Sequence, residues 1–338
     1  MTTLTVRAAA PSAGRVRSHA AARAGRSTLA VLAQSAVVLL IASFITFALG
    51  AASGSDPAAV ALGDMATPDD VARLNHEFGL DRPFLVRYAD WLGSALLGDL
   101  GRSWFTGIPV TQSITAAFPV SLSIALGATL AAIVLGGTTG ILAAVRRGTW
   151  IDRVIGGVNA ALATIPAFVA GIALILVFAF AIPVFPVGGY VPPTINVAAW
   201  AACLVLPSLA LSLDAAADLS RQLRTSLVGA LSQNYVVGAA VHGIGSRRII
   251  WGHALPNALG PAIATLGLHV PRLVGGAVIT EAVFGMPGLG QVARQSAISG
   301  DVPVVQGVLL VSVAIVVVSS IAVNLVLSRF SSSERTAT

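Results

Sequence analysis

The chain has 338 residues, 56% hydrophobic and only 10% charged, with a formal net charge of +6 and a mean hydropathy of +0.86. Soluble domains carry about 25% charged residues, so the composition excludes a water-soluble globular fold and points to a chain solvated by lipid. Every basic residue is arginine; a P-loop needs a lysine on the nucleotide phosphates, which excludes a P-loop ATPase and equally any lysine Schiff-base chemistry.

Residues 27–55, 103–145, 154–213, 249–271 and 302–328 contain no Asp, Glu, Lys or Arg. A spanning helix needs about 20 mostly apolar residues. The 154–213 run holds two, divided by the breaker-rich segment from Pro183 to Pro193. The expectation is an all-α integral membrane protein with six transmembrane helices near 28–50, 116–144, 154–182, 197–217, 256–280 and 304–327. The fourth is the least regular, since it contains Pro207 and Asp214. The one cysteine, Cys203, allows no disulfide within the chain. The five histidines form no i, i+4 pair, which weighs against a protein-built zinc or copper site.

The charges also orient the chain. Residues 1–27 carry Arg7, Arg15, Arg17, Arg23 and Arg26 and no acid; 145–153 carries three Arg against Asp152; 218–255 carries four Arg against Asp218. The segment 51–115 has eight acids and four Arg. Arginine-rich short loops stay cytoplasmic. Both termini, 145–153 and 218–255 are therefore read as inside, and 51–115, 183–196 and 281–303 as outside. The 1–27 extension, rich in Ala, Ser and Gly, reads as a disordered tail that fixes topology, with contact to anionic membrane lipid as the sharper alternative. Its following apolar run of about 20 residues exceeds the usual h-region of a cleaved signal peptide. The last residues, 331–338, read as a second tail.

Charges within or beside spans are candidate functional groups. Asp214, Asp218 and Arg221 lie at i, i+4 and i+7 on one helix face, where local pairing competes with a pathway contact. His269 and Arg272 fall near the middle of the fifth span and are candidates for lining a translocation path.

The segment 218–261 is too long for a simple connector. It includes Gly243 followed, after nine residues, by His253-Ala-Leu-Pro256. This resembles the signature loop of membrane subunits of ATP-binding-cassette importers, in which a glycine precedes a Leu-Pro at that spacing. Further stretches resemble the oligopeptide/dipeptide permease family in particular: Gly54-Ser-Asp-Pro57, Phe78-Gly-Leu-Asp-Arg-Pro83, Tyr88-Ala-Asp-Trp-Leu92, Gly98-Asp-Leu-Gly-Arg-Ser103, Arg146 to Arg153, Ile165-Pro-Ala-Phe168, Glu281-Ala-Val-Phe-Gly-Met-Pro-Gly-Leu-Gly290 and Pro303-Val-Val-Gln306. Together they cover residues 28–330. Val237, Gly238, Ala240 and His242 stand where the family usually has charged residues, and Asn234 replaces a usual Asp.

The resemblance implies the type I importer permease fold with a large extracytoplasmic loop after the first helix. It implies half of a translocation pore for di- or oligopeptides or peptide-sized solutes, completed by a second homologous permease. Two cytoplasmic ATPase subunits bind the ATP and an extracytoplasmic binding protein delivers the solute. The chain itself then has no cofactor, no catalytic role and no nucleic-acid partner. The signature loop is expected to form a short coupling helix that docks on the ATPase. Tyr235, Ala239 and Ala240 give it a face that is aromatic and then small, Gly243 ends it, and Arg247 and Arg248 follow. Leu255 and Pro256 complete the signature. An ion-gradient-driven secondary transporter is the alternative, although it would want acids at span centres and repeated halves.

Overall fold

The computed structural model describes residues 13–52, 56–63 and 66–334. Among them the fold is helical, with a single isolated bridge between Arg102 and Pro109. Helix α1 runs from Ala13 to Ala52. Residues 13–27, expected as part of a disordered tail, are thus helical; residues 1–12 lie outside the described residues, as do Gly54 of the Gly-Ser-Asp-Pro string and the end of the C-terminal tail. Three short helices follow, α2 (Pro57–Leu62), α3 (Pro68–Glu77) and α4 (Phe84–Leu96). Asp56 and Thr67 cap the first two with side-chain oxygens on free backbone N–H groups, and proline follows at the first helical position in each.

Helix α5 spans Val110–Val145. The expected third span is not one rod. Helix α6 (Trp150–Leu162) meets α7 (Ala167–Ile175, extended by a π-helical turn to Ala181) at a bend of 105°. The reason is local: Pro166 adopts φ −59, ψ 141, and a proline disfavours helical geometry in the residue before it. Helix α8 (Val197–Leu231) passes through Pro207 and is 35 residues long, so residues 218–231, expected within a cytoplasmic loop, extend the fourth span instead. Helices α9 (Asn234–Val241) and α10 (Ser246–Ile249), then a π-helical turn over Ile250–Ala254, lead into α11 (Leu255–Val283). The segment Ser246–Leu273 bends by 56° against Gly275–Val283, just past Pro271. A short helix α12 (Leu289–Ser299) precedes α13 (Val302–Glu334). Among the described residues four helices are each long and apolar enough to cross a membrane, and the number rises to six if each of the two bent pairs is counted as one span.

The core is built around α5 and α8. A Cβ on Gly136 would sit 2.6 Å from the Ala216 carbonyl oxygen, and one on Gly140 would sit 2.8 Å from that of Ser220. Small residues four apart let two helix backbones touch, which is how helices associate where lipid removes the hydrophobic drive between them. The contact carries hydrogen bonds with it. The Ser220 hydroxyl receives Nδ2–H of Asn159 at 2.8 Å and lies 2.9 Å from the Thr139 hydroxyl. Arg224 donates twice to Asp152, at 2.5 and 2.7 Å, fastening α6 to α8.

The outer ends are fastened separately. Glu281, fully buried, accepts the Ser121 hydroxyl at 2.6 Å and the Gln291 N–H at 3.0 Å, while Ser121 Oγ accepts the Leu289 N–H at 2.7 Å. One carboxylate thus joins α5, α11 and the N-terminus of α12, where free N–H groups favour an anion. Asp301 accepts the Ser103 hydroxyl at 2.5 Å and the Trp104 N–H at 3.2 Å, tying the end of the outer segment to the start of α13. Burial pushes the Asp301 carboxyl above its usual range, with those two donors acting in the opposite direction. Gln306 Nε2 donates to the Ser43 carbonyl at 2.7 Å, joining α13 to α1.

Replacing Gly140 by valine should force α5 from α8 and cost about 1–3 kcal/mol, the usual range for overpacking. Thermal unfolding in lipid nanodiscs should shift to lower temperature, and Gly137→Val, where a side chain meets open space, should shift it far less. Equal shifts would show that the glycine contact does not hold this helix pair.

Candidate functional site

Two places concentrate polar chemistry. The first is the segment between α8 and α11, expected from its arginines on the cytoplasmic side. Helix α9 ends as its sequence dictates. Gly243 has φ +76, its N–H reaches the Ala240 carbonyl at 3.0 Å, and the Ile244 N–H reaches that of Ala239 at 3.1 Å. This pair of bonds is the Schellman arrangement, which favours glycine because a Cβ is strained in the left-handed region. Nothing lies within 4 Å of where a Gly243 Cβ would be.

Of the residues singled out for this segment, Tyr235, Ala240, Gly243, Arg247, Arg248 and Pro256 are exposed, and Ala239 is half-buried. Leu255 is instead buried in the cluster formed by Leu223, Leu227 and Ala258, so it anchors the segment and cannot meet a partner. Val236 is the inward anchor of α9. Sequence reasoning missed Val237 and Val241, an i, i+4 pair 57% and 80% exposed, and Trp251, 57% exposed. The signal was available for the valine pair, since apolar residues at i, i+4 share one face of a helix. Nδ2–H of Asn257 donates to the Tyr235 hydroxyl at 3.0 Å, so α9 is tied to the first turn of α11 as well as to the end of α8.

The second place is the facing surface of α8 and α11. His269, buried, sits between two carboxylates: Nε2 is 2.9 Å from Asp218 and Nδ1 is 3.7 Å from Asp214. Arg221 pairs with Asp218 along α8. The local pairing expected from the sequence is present, and Asp218 makes a cross-helix contact with His269 as well. One ligand atom each from Asp214, Asp218 and His269 lies within 4.8 Å of the others, a spacing that suits a cation. The count of histidine pairs gave no hint of it, because its members come from two helices. Asp218 is already neutralised by Arg221, so ion pairing accounts for the cluster without a metal.

A cavity of ≈ 330 Å³ opens beside this cluster. Asp214, His269 and Arg272 line it together with Thr164, Pro166 and Gly276. The break between α6 and α7 thus forms one wall and the bend of α11 another. Arg272 is exposed to this space and makes no ion pair among the described residues. The three residues proposed from sequence for a pathway converge on one cavity.

Comparison with known proteins defines the class. Residues 136–335 match the family described as binding-protein-dependent transport system inner membrane component, and residues 28–125 match its N-terminal counterpart. The chain belongs to this family: it is an inner-membrane permease of the type I ABC importer fold, allied to peptide permeases. It is 34% identical to a putative peptide transport system permease protein of Brucella abortus, over 82% of this chain and 89% of that one. It is 33% identical to a probable D,D-dipeptide transport system permease protein of Escherichia coli, over 84% and 90% of the two chains. It is 29% identical to a metal-staphylopine import system permease protein of Staphylococcus aureus, over 84% and 90%. Membership in this family sets aside the ion-gradient alternative.

Arg272→Ala should lower solute uptake without lowering the amount of protein in the membrane, and Arg272→Lys should recover part of the loss. Normal uptake by Arg272→Ala would place this side chain outside the path, since a charge kept at a helix centre costs at least about 2.5 kcal/mol and here would have no use in transport.

Proposed function

We propose that the chain forms half of an ATP-driven import pore for di- or oligopeptides or peptide-sized solutes. A second homologous permease completes the pore, two ATPase subunits dock on the cytoplasmic α9 segment, and an extracytoplasmic binding protein presents the solute to the outer face. The observation that carries this reading is the position of α9. It is a short exposed helix with an outward apolar side of Val237, Ala240 and Val241, joined to α8 by a two-residue turn and bonded near its start, through Tyr235, to Asn257 of α11. Names of relatives support peptides as the solute class.

Coupling in this scheme is alternating access. ATP bound by the partners favours one arrangement of the pore, and it can do so only through contacts that differ between arrangements. Displacement of α9 bears on α8 and α11 together, and Asp214, Asp218 and His269 lie where those helices face each other. The cavity beside them offers a carboxylate and a guanidinium, groups that suit the two termini of a zwitterionic peptide. The chain supplies no ATPase activity of its own, in keeping with its lack of lysine. Both termini and α9 face the cytoplasm.

Two measurements test this. Gly243→Asp has open space for its side chain and costs roughly 1 kcal/mol of backbone strain, so it should insert and assemble with the second permease yet fail to transport. In reconstituted vesicles its hydrolysis should no longer respond to loaded binding protein, and near-normal transport would remove α9 as the coupling element. Orientation is read separately, with single cysteines at Ser232 and Asp69 in a Cys203→Ser background. An impermeant thiol reagent on intact cells should label only position 69; the reverse pattern would invert the topology.

A further inference from the structure

Helix α4 belongs to the segment that charge counting places outside the membrane, yet it packs well below the outer end of α1. The Tyr88 hydroxyl donates to the Leu40 carbonyl at 3.2 Å and lies 2.9 Å from Ser43 Oγ. The Phe84 and Tyr88 rings meet Phe44 and Phe47 edge to face, with centroids 5.4 to 5.6 Å apart. All four α1 positions fall inside the apolar span Leu32–Ala52. At 1.5 Å per residue, Leu40 is about 18 Å along the helix from Ala52. The helix therefore lies beside the span and not above it.

Its sequence divides into three stripes. Phe84, Tyr88, Trp91 and Ala95, at i, i+4, i+7 and i+11, are half-buried and form the side toward α1. Leu85, Ala89, Leu92 and Leu96 repeat the same spacing one residue on and carry no polar atom beyond the backbone. Leu85 is 66% exposed, Leu96 81%, and Leu97 just past the helix 90%. About half a turn away, Asp90 and Ser94 form the opposite flank, and Asp90 pairs with Arg82 at 2.7 Å. A helix packed beside a span, with leucine on one flank and an exposed ion pair on the other, has the pattern of a segment lying in a membrane–water boundary. Tyr88 and Trp91 are the residue types enriched at that depth.

We propose that α4 is an interfacial helix seated in the outer leaflet, with lipid acyl chains covering Leu85, Leu92, Leu96 and Leu97. Lipid is the occupant for two reasons. The leucine flank belongs to a helix packed on a span that itself exposes apolar side chains, with Ile41, Ile45 and Leu49 50% to 66% exposed. The ion-paired flank beside it needs water, which a protein partner enclosing the helix would exclude. The helix anchors the outer lobe and braces α1 from the lipid side, and the inference does not depend on the solute or on the coupling helix.

The test uses the full chain in a Cys203→Ala background, assembled with its permease and ATPase partners in phospholipid nanodiscs. Nitroxide labels are placed singly at Leu85→Cys, Leu92→Cys, Leu96→Cys and, on the opposite flank, Ser94→Cys. Collision with oxygen relative to a water-soluble nickel chelate should be several-fold higher at 85, 92 and 96 than at 94. Chelate access at the leucine positions equal to that at 94 would put the flank in water and overturn the proposal. Low access to both reagents, or failure to label, would mean that protein covers the flank and would overturn it equally.

Discussion

The close approach of α5 and α8 is the contact on which the rest is assembled. Where Gly136 and Gly140 meet the backbone of Ala216 and Ser220, neither side has room for a further carbon atom. Lipid gives helices no hydrophobic reason to associate, so contact of this kind must be supplied by packing and by hydrogen bonds. Both occur at one place, since the hydroxyl of Ser220 also serves Thr139 and Asn159. With α8 fixed against α5, the broken third span hangs on α8 through Asp152 and Arg224, and α11 closes the other side through His269 and Asp218. Every element of the candidate pathway is referenced to this one helix.

The segment between α8 and α11 inherits that arrangement. Helix α9 follows α8 after two residues and is bonded through Tyr235 to Asn257 at the start of α11. Its inward contacts are few, with Val236 as the single buried side chain. Such a segment is tied to its neighbours near its start and lightly along the rest of its length. At the opposite end of the molecule Glu281 and Asp301 hold α12 and the outer lobe through buried carboxylates, each with several donors. The two ends are built differently: buried carboxylates with several donors at one, a short exposed helix with apolar side chains at the other.

Much of this was legible in the residues, for identifiable reasons. Charge-free runs mark spans because the bilayer forbids unpaired charge, and the six expected segments each fall on helices. The end of α9 was legible because a left-handed cap favours glycine. Composition, however, reports depth and not direction. Residues 154–182 carry no charge, so the 105° turn at Pro166 was hidden within a charge-free run. The reach of α8 to Leu231 was hidden by Asp218, Arg221 and Arg224, which read as loop but pair along and across helices. The His269 cluster joins residues 51 positions apart, beyond any local spacing rule. Averaging the acids of 51–115 concealed the leucine flank of α4, since one short amphipathic helix is outvoted by its neighbours. Leu255, part of a recognisable string, turned out to serve the core, which a string alone cannot distinguish from a docking role.

The length of α8 has a mechanical consequence. Thirty-five residues without a break form a rod of about 52 Å, longer than the hydrocarbon core of about 30 Å. Its C-terminal end carries the α9 segment, and a point near its middle is gripped by the glycines of α5. A rod held near its middle is a first-class lever. A tilt of about 5° about that fulcrum moves each end of such a rod by roughly 2 Å, in opposite directions. Movement inward at one membrane face is then movement outward at the other, so a single rigid helix reverses the sense of displacement across the bilayer.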